Sequence, residues 1–272
     1  MGDADSNRAG EQDRERDAAL LTDAVRAAGA LALSMFGTDL KRWTKGASSP
    51  VSEADIAVSE LLETSLRSAT ADYGFLSEES LDDQSRFSRR FVWVVDPIDG
   101  TRAYLAGRDD WCVSVALLEE TQPVLGAVFA PVREKFFFAR RGRGALCNER
   151  RIAAACGSGL DSPRVAGPEW LLERFRLVAP GAIQCPRLGS LALRFCQVAE
   201  GAVDVAFASA KSQDWDLAAA DLIVREANGI ITELSADPVV YNGRDTGHGV
   251  LVAAARERHA RIVLDLRNGA VP

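Results

Sequence analysis

The stretch VVDPIDGTRAY, Val94 to Tyr104, sets two aspartates three residues apart at the end of an apolar run. The run itself, FVWVV (Phe91 to Val95), is continuous, β-branched and aromatic. It predicts a strand buried on both faces, with Asp96 at its carboxyl end. In α/β architectures that end is where ligands sit. Pro97 confines Asp96 to extended conformations and removes one N–H, while Gly100 permits a tight reversal that a side chain would block. The stretch therefore reads in one of two ways. It is a surface turn, for which Asp-Pro is ordinary chemistry, or a corner that aims two carboxylates and the Ile98 carbonyl at one point.

The rest of the chain narrows the choice. Its 272 residues exceed what one typical core needs, and 47% are hydrophobic, so two packed subdomains or one large α/β unit are expected. Lys and Arg total 32 against 39 Asp and Glu, a net charge of -7, which argues against binding a nucleic-acid polymer. The five cysteines form no C-x-x-C pair, so neither a disulfide framework nor a zinc site is indicated. No apolar run suggests a membrane span, and the start lacks a signal-peptide core, although Gly2 and Ser6 fit the loose myristoylation pattern. These features point to a soluble protein of the reducing cytoplasm, without a membrane partner.

Residues 1–14 read as a polar, flexible tail. Helical spacing of Leu20, Leu21, Val25, Ala28, Leu31 and Leu33 predicts a helix from near Arg16 to Met35. KGASSP (Lys45 to Pro50) reads as a loop. Ser52 opens a second helix, with Asp55 completing a capping box. FLSEES (Phe75 to Ser80) predicts a short strand entering an acidic loop, and strands follow over Cys112–Leu118, Val124–Pro131 and within Lys135–Cys147. A composition shift over about 150–162 sets the boundary between an N-terminal α+β subdomain, 15–152, and a C-terminal α/β subdomain, 153–272. Beyond it Ser190 caps a helix ending at Gly201, Val203–Phe207 is a strand, and Asp214 caps a helix stopped by Asn228-Gly229.

Five acids stand out: Asp55, Glu78, Asp96, Asp99 and Asp216. Each has a plain reading as a helix cap, a solvated loop, a turn former or a partner of a helix dipole. Taken with the central corner, they suit Mg²⁺ or Mn²⁺, since only His248 and His259 are available and no cysteines are paired. Carboxylate-held Mg²⁺ commonly serves phosphate-ester hydrolysis. Such a site needs a hydroxyl to orient water, for which Thr101 stands ready. It also needs anion-binding amides, sought at Gly100-Thr101 and at the helix start Gly189-Ser190, where a plain cap is the alternative. There is no Walker A loop or dinucleotide fingerprint, and the two acids are one residue too far apart for a haloacid-dehalogenase nucleophile loop.

VVDPIDGTRAY and DWDLAAADLIVREANG resemble the two signatures of the inositol monophosphatase superfamily, and LSEES and SSPVSEAD resemble its other metal and activation segments, all in order over roughly residues 45–230. The resemblance implies a layered α-β-α-β-α sandwich of two subdomains, as in fructose-bisphosphatase. It also implies a Mg²⁺-dependent, Li⁺-sensitive hydrolase of small phosphate monoesters, binding two or three ions. Glu78, Asp96 and the Ile98 carbonyl look like ligands of one ion, and Asp96, Asp99 and Asp216 of a second. Asp55 and Thr101 look like the pair that orients water, with Asp55 near a third, weaker ion. Gly189 and Ser190 match a substrate segment. Arg102, directly after Thr101, is more like the CysQ-type 3′(2′),5′-bisphosphate nucleotidases, which act on 3′-phosphoadenosine 5′-phosphate; its plain reading is a surface charge. Ser209 stands where inositol phosphatases often carry a glutamate, whereas GRGALCNERRI looks more like the inositol side. Ala220, Asn228 and Ser52 depart from usual residues without removing a ligand. A non-catalytic scaffold that kept the fold, and a homodimeric assembly, stay open.

Overall fold

The structure, a computed structural model, describes residues 2–45 and 49–268. Helix α1 (Gly2–Met35) leads to a hairpin of β1 (Arg42–Lys45) and β2 (Ser49–Ser52), then α2 (Glu53–Ala69). Next come β3 (Gly74–Ser77), β4 (Phe91–Asp99) and the short α3 (Thr101–Leu105). An antiparallel run follows: β5 (Cys112–Glu119), β6 (Gln122–Ala130), β7 (Lys135–Arg140), β8 (Ala145–Cys147) and β9 (Arg150–Ile152). The remainder is β10 (Arg164–Ala166), α4 (Glu169–Arg176), β11 (Ile183–Gln184), α5 (Leu191–Ala199), β12 (Val205–Ala208), α6 (Asp214–Glu226), β13 (Gly229–Glu233), β14 (Leu251–Ala255) and α7 (Arg256–Asn268).

Strands β3 to β9 form a seven-stranded sheet in sequence order, parallel only between β3 and β4. Strands β10 to β14 form a five-stranded sheet ordered β11-β10-β12-β14-β13. Side chains alternate across each strand, and that alternation sorts the residues into layers. Trp93, Val95, Val113, Val115 and Leu125 face Leu21, Val25, Leu62 and Leu66 of α1 and α2. Val92, Val94, Ala116 and Val128 face the opposite way, onto Leu193, Leu217 and Leu222 of α5 and α6. That central helix layer also covers Ala206, Ile231 and Ala253 of the second sheet. The second sheet's far face, with Val205, Phe207 and Val252, packs on Phe175 of α4 and Ile262 of α7. The architecture is thus the layered α-β-α-β-α sandwich, and β4 reads as a continuous apolar run because helices cover both its faces. At Gly126 of β6 an added Cβ would lie 2.8 Å from the Ala219 carbonyl oxygen, so α6 sits directly on the sheet backbone. We propose that residues 153–163, which join the two sheets, divide the subdomains.

Several expectations change. The tail assigned to 1–14 continues α1: its backbone is helical from Gly2, and Glu11 pairs with Arg140 and Arg143 while Arg14 pairs with Glu119. These contacts tie the polar end of the helix to β5, β7 and the turn after β7. Glu11–Met35 is also long and apolar enough to cross a membrane by length and composition, contrary to the expectation of no such run. Leu21, Val25, Ala28 and Ala32 are nevertheless buried against the first sheet, as befits a core helix, while Leu33 is exposed. In the KGASSP segment, Lys45 and Pro50 are strand residues, and 46–48 lie outside the described residues. Helix α6 is capped by Gln213, not Asp214. Asp214 is instead buried, with its carboxylate on His248 Nε2 at 2.7 Å and on the Asn242 amide at 2.8 Å.

Candidate active site

The decisive local feature is a bulge at the end of β4. Asp96 lies opposite Ser114, and Asp99 lies opposite Cys112, so three steps on β4 match two on β5. In a regular strand, residues i and i+3 point to opposite faces. The extra residue restores the parity and turns Asp96 and Asp99 to the same side. Pro97, which has no N–H for the ladder, falls inside the bulge. Gly100 follows at φ 95°, and a Cβ there would meet the Ser190 nitrogen at 3.0 Å and the Asp110 carbonyl oxygen at 3.1 Å. The chain can therefore turn into α3 only with glycine at this point.

Asp216, the third residue of α6, joins the pair: one carboxylate oxygen from each of Asp96, Asp99 and Asp216 lies within 4.8 Å of the others. Each is anchored by hydrogen bonds. Asp96 Oδ1 accepts from the Ile98 amide at 3.0 Å, and Asp216 Oδ2 from the Gln213 amide at 2.7 Å. Asp99 Oδ2 accepts from Ser190 Oγ at 2.5 Å and from the Ala192 amide at 2.7 Å. Three ionised carboxylates this close repel one another by about 3 kcal/mol per pair at an effective dielectric of roughly 20. Burial adds to that cost and is the largest cause pushing all three carboxyls above their usual range, followed by repulsion from Glu78 and then Asp99 at Asp96, and from Asp99 at Asp216; at Asp99 the bonds from Ser190 and Ala192 oppose the rise. An all-oxygen, anionic, preorganised cluster fits a hard divalent cation, which would remove both penalties.

Glu78, just past β3, lines the same cleft but stands outside the three-acid cluster. Burial first, then the neighbouring Glu79 charge, raise its carboxyl to about 7. The cleft encloses about 530 Å³ and is lined also by Ile98, Gly100, Thr101, Arg102 and Gly189. Asp55, third in α2, is buried behind the cleft residue Thr101: Oδ2 accepts from the Ser52 amide at 2.8 Å and Ser52 Oγ at 2.6 Å, the expected return arm of the capping box. Asp55 Oδ1 accepts from Thr101 Oγ1 at 3.2 Å, and the same hydroxyl lies 3.1 Å from the Ile98 carbonyl. Thr101 thus bridges the α2 cap and the metal corner.

The anion cradle sought at Gly189-Ser190 does not hold. The Gly189 amide donates to the Asp110 carboxylate and the Ser190 amide to the Asp110 carbonyl, so both donors are committed. Ser190 is wholly buried, and its hydroxyl caps α5 through the Leu193 amide at 2.9 Å while holding Asp99. It positions a ligand residue and does not face the cleft. Thr101, as the first residue of α3, has an amide without an intrahelical acceptor, so that half of the cradle remains. Residues missed in the sequence are Lys211 and Pro50, which line the cleft, and Lys45, whose Nζ donates to the Glu78 carbonyl and pairs with Glu79 at 3.4 Å. Only the adjacency of Lys45 to SSPVSEAD could have signalled it; Lys211 is brought in by a loop with φ 81°.

The inositol monophosphatase family model matches residues 13–269. A histidinol-phosphatase of Mycobacterium tuberculosis is 38% identical over 213 residues, 73% of this chain and 80% of that protein. A 3′(2′),5′-bisphosphate nucleotidase CysQ of Haemophilus influenzae is 30% identical over 206 residues, 72% of this chain and 77% of that protein. The crystal structure of the extragenic suppressor protein suhB from Bartonella henselae superposes with a TM-score of 0.81 at 28% identity, covering 92% of this chain and 98% of that one. The chain belongs to the inositol monophosphatase family. It is a metal-dependent phosphomonoesterase of that family, with Asp96, Asp99 and Asp216 as its acidic metal-binding cluster. The resemblance to the CysQ branch gains no preference, because relatives of similar identity carry different names.

Raised carboxyl pKa values link stability to pH. Between the ordinary glutamate value of 4.5 and about 7, folded Glu78 keeps a proton that the unfolded chain releases. Stability of the metal-free protein should therefore fall as pH rises through that window. The melting temperature without metal is expected to drop between about pH 5 and about pH 7.5, and Mg²⁺ should restore it more at the higher pH. A melting temperature indifferent to both pH and Mg²⁺ would contradict the clustered-carboxylate site.

Proposed function

We propose that the protein is a Mg²⁺-dependent 3′(2′),5′-bisphosphate nucleotidase of the CysQ type, releasing phosphate from 3′-phosphoadenosine 5′-phosphate. The observation that carries this reading is the pairing of Arg102 and Lys211 on the walls of an otherwise acidic cleft. Two cations beside a carboxylate cluster suit a substrate with more anionic charge than one monoester provides. Ser209, in place of a carboxylate for sugar hydroxyls, weighs in the same direction. The likeness of GRGALCNERRI to inositol phosphatases favours inositol 1-phosphate as the second reading.

Two cations fit the donor set. Glu78, Asp96 and the Ile98 carbonyl would hold one, and Asp96, Asp99 and Asp216 the other, with Asp55 near a weaker third. Bound, they supply Lewis acidity at the phosphoryl group and lower the pKa of a coordinated water. The chain's own work is positional. Thr101 Oγ1 donates a hydrogen bond to Asp55 and so has lone pairs free to accept from the attacking water. Asp55, raised above its usual range chiefly by burial, is suited to receive that water's proton. The Thr101 amide and Arg102 hold the phosphate oxygens in line. The five free thiols accord with a reducing cytoplasm.

Thr101→Ala should lower kcat by roughly 100-fold or more while KM changes by less than about threefold, because the hydroxyl acts on the transition state. A pure KM effect would make Thr101 a binding residue. The substrate itself is tested by phosphate release from 3′-phosphoadenosine 5′-phosphate, inositol 1-phosphate and histidinol phosphate, with Mg²⁺ and with or without Li⁺. A kcat/KM at least about tenfold higher for the bisphosphate is expected. Preference for either other ester would reassign the branch, and no turnover of any would leave a scaffold that kept the fold.

A further inference from the structure

Arg86 is a buried guanidinium on an otherwise exposed segment. It sits in a single 3₁₀ turn (Ser85–Ser88) between β3 and β4, where its neighbours Ser85 and Phe87 are exposed and Arg86 itself is 1% exposed. The turn lies directly on β3, since a Cβ added to Gly74 would meet the Arg86 Cα at 2.9 Å. We propose that Arg86 is a positioning residue of the active site: it fixes the 241–248 loop and, through that loop, Asp216 and Lys211 of the cleft. The inference rests on the cation site formed by Asp96, Asp99 and Asp216, and not on which ester is cleaved.

The guanidinium joins two loops. Nε and Nη2 donate to Asp82 Oδ2 at 3.0 and 2.9 Å, Nη1 donates to Asn242 Oδ1 at 2.5 Å, and Nη2 also donates to the Gly243 carbonyl at 2.9 Å. Its carbon lies 4.2 Å from the centroid of the Phe87 ring. Asp82 belongs to the loop that leaves Glu78, whereas Asn242 and Gly243 lie between β13 and β14 of the second sheet. Residues 234–250 form no helix or strand of their own, so that loop takes its shape from bonds such as these. A buried guanidinium is unfavourable unless its donors are met, and its rigid planar fork then dictates where the acceptors stand.

The other side of the same loop carries the site. The Asn242 amide donates to Asp214 Oδ2 at 2.8 Å, and His248 Nε2 lies 2.7 Å from Asp214 Oδ1. An antiparallel ladder then joins 246–248 to 211–214. In it the Lys211 amide donates to the His248 carbonyl at 2.8 Å, the His248 amide to the Ser212 carbonyl at 2.9 Å, and the Asp214 amide to the Thr246 carbonyl at 3.0 Å. Gln213, bridged to Gly247 within this ladder, is the cap of α6 whose amide holds Asp216 Oδ2 at 2.7 Å. Lys211 leaves the ladder at φ 81°, a conformation that non-glycine residues rarely adopt, and lines the cleft. Arg86 thus reaches one metal ligand and one cleft cation through bonds that are all in place. Metal ligands are commonly oriented by such outer partners, and loss of a partner weakens the ion.

The test is Mn²⁺ affinity without substrate, read from the free-ion signal in electron paramagnetic resonance at a temperature where circular dichroism shows each variant folded. Arg86→Gln should weaken Mn²⁺ binding by about tenfold or more. Arg86→Lys should lie between, because an ammonium keeps the charge and loses the fork. Lys135→Gln is the control. It removes the 2.7 Å ion pair between β7 and Glu200, at the end of α5 remote from Ser190, and should leave the affinity within about twofold. If Arg86→Gln does not fold, Asn242→Gly decides: it deletes the Oδ1 acceptor, keeps the amide bond to Asp214 and suits the native φ of 61°. It should weaken Mn²⁺ by about threefold or more. An unchanged affinity in Arg86→Gln (or, where that variant does not fold, in Asn242→Gly), or an equal loss in Lys135→Gln, overturns the positioning role and leaves Arg86 a structural tie. Neither result bears on which ester the intact protein cleaves, which phosphate release tests separately.

Discussion

The site depends on one constraint of strand geometry. Two aspartates three apart on a regular strand face opposite ways, and here one would enter the α1–α2 core. The bulge between Asp96 and Asp99 removes that conflict, and both carboxylates emerge on the side of α5 and α6. Pro97 costs nothing further, because the ladder is already interrupted where it sits. With the parity restored, Asp216 can complete the cluster from α6, and the Ile98 carbonyl lies between the two β4 acids. Without it, one of the two acids would be a buried, unpaired charge in the α1–α2 core, and the cluster would lose a member.

The site is also where helices begin. Asp55 returns to the cap of α2, Asp216 to the cap of α6, and Asp99 reaches across from β4 to the first turn of α5. Thr101 opens α3. Helix starts present free N–H groups and the positive end of the helix dipole, which steady carboxylates that would otherwise be unfavourable in a buried setting. The plain capping role and the metal-binding role of these acids are thus the same arrangement seen from two sides. At Asp216 the cap occupies Oδ2, whereas at Asp55 it occupies Oδ2 and Thr101 occupies Oδ1. This is also why burial wins over hydrogen bonding at Asp55 and Asp99, whose carboxyls stay above the usual range despite several donors.

How much was legible in the sequence follows from what is local. The buried strand, the Asp55 cap, the Gly100 reversal and the α5 start at Ser190 are set by neighbours in the chain, and each is found where the pattern indicates. The commitment of the Gly189 and Ser190 amides to Asp110 was not legible, because that partner is nearly eighty residues away in sequence. Lys45 and Lys211 reach the site through loops without a periodic signal, and the Asp214–His248 pair requires the fold to bring α6 beside the 241–248 loop. The early start of α1 escaped for a related reason: its polar end is held by ion pairs to β5, β7 and the turn after β7, and not by an apolar stripe of its own.

The central claim is that one bulge makes Asp96, Asp99 and Asp216 a single cation site. An anomalous difference map from crystals soaked in Mn²⁺ tests it most directly. The account expects a peak within about 2.0–2.6 Å of carboxylate oxygens from all three residues. A map with Mn²⁺ bound elsewhere, or at only one of the two β4 aspartates, would contradict it.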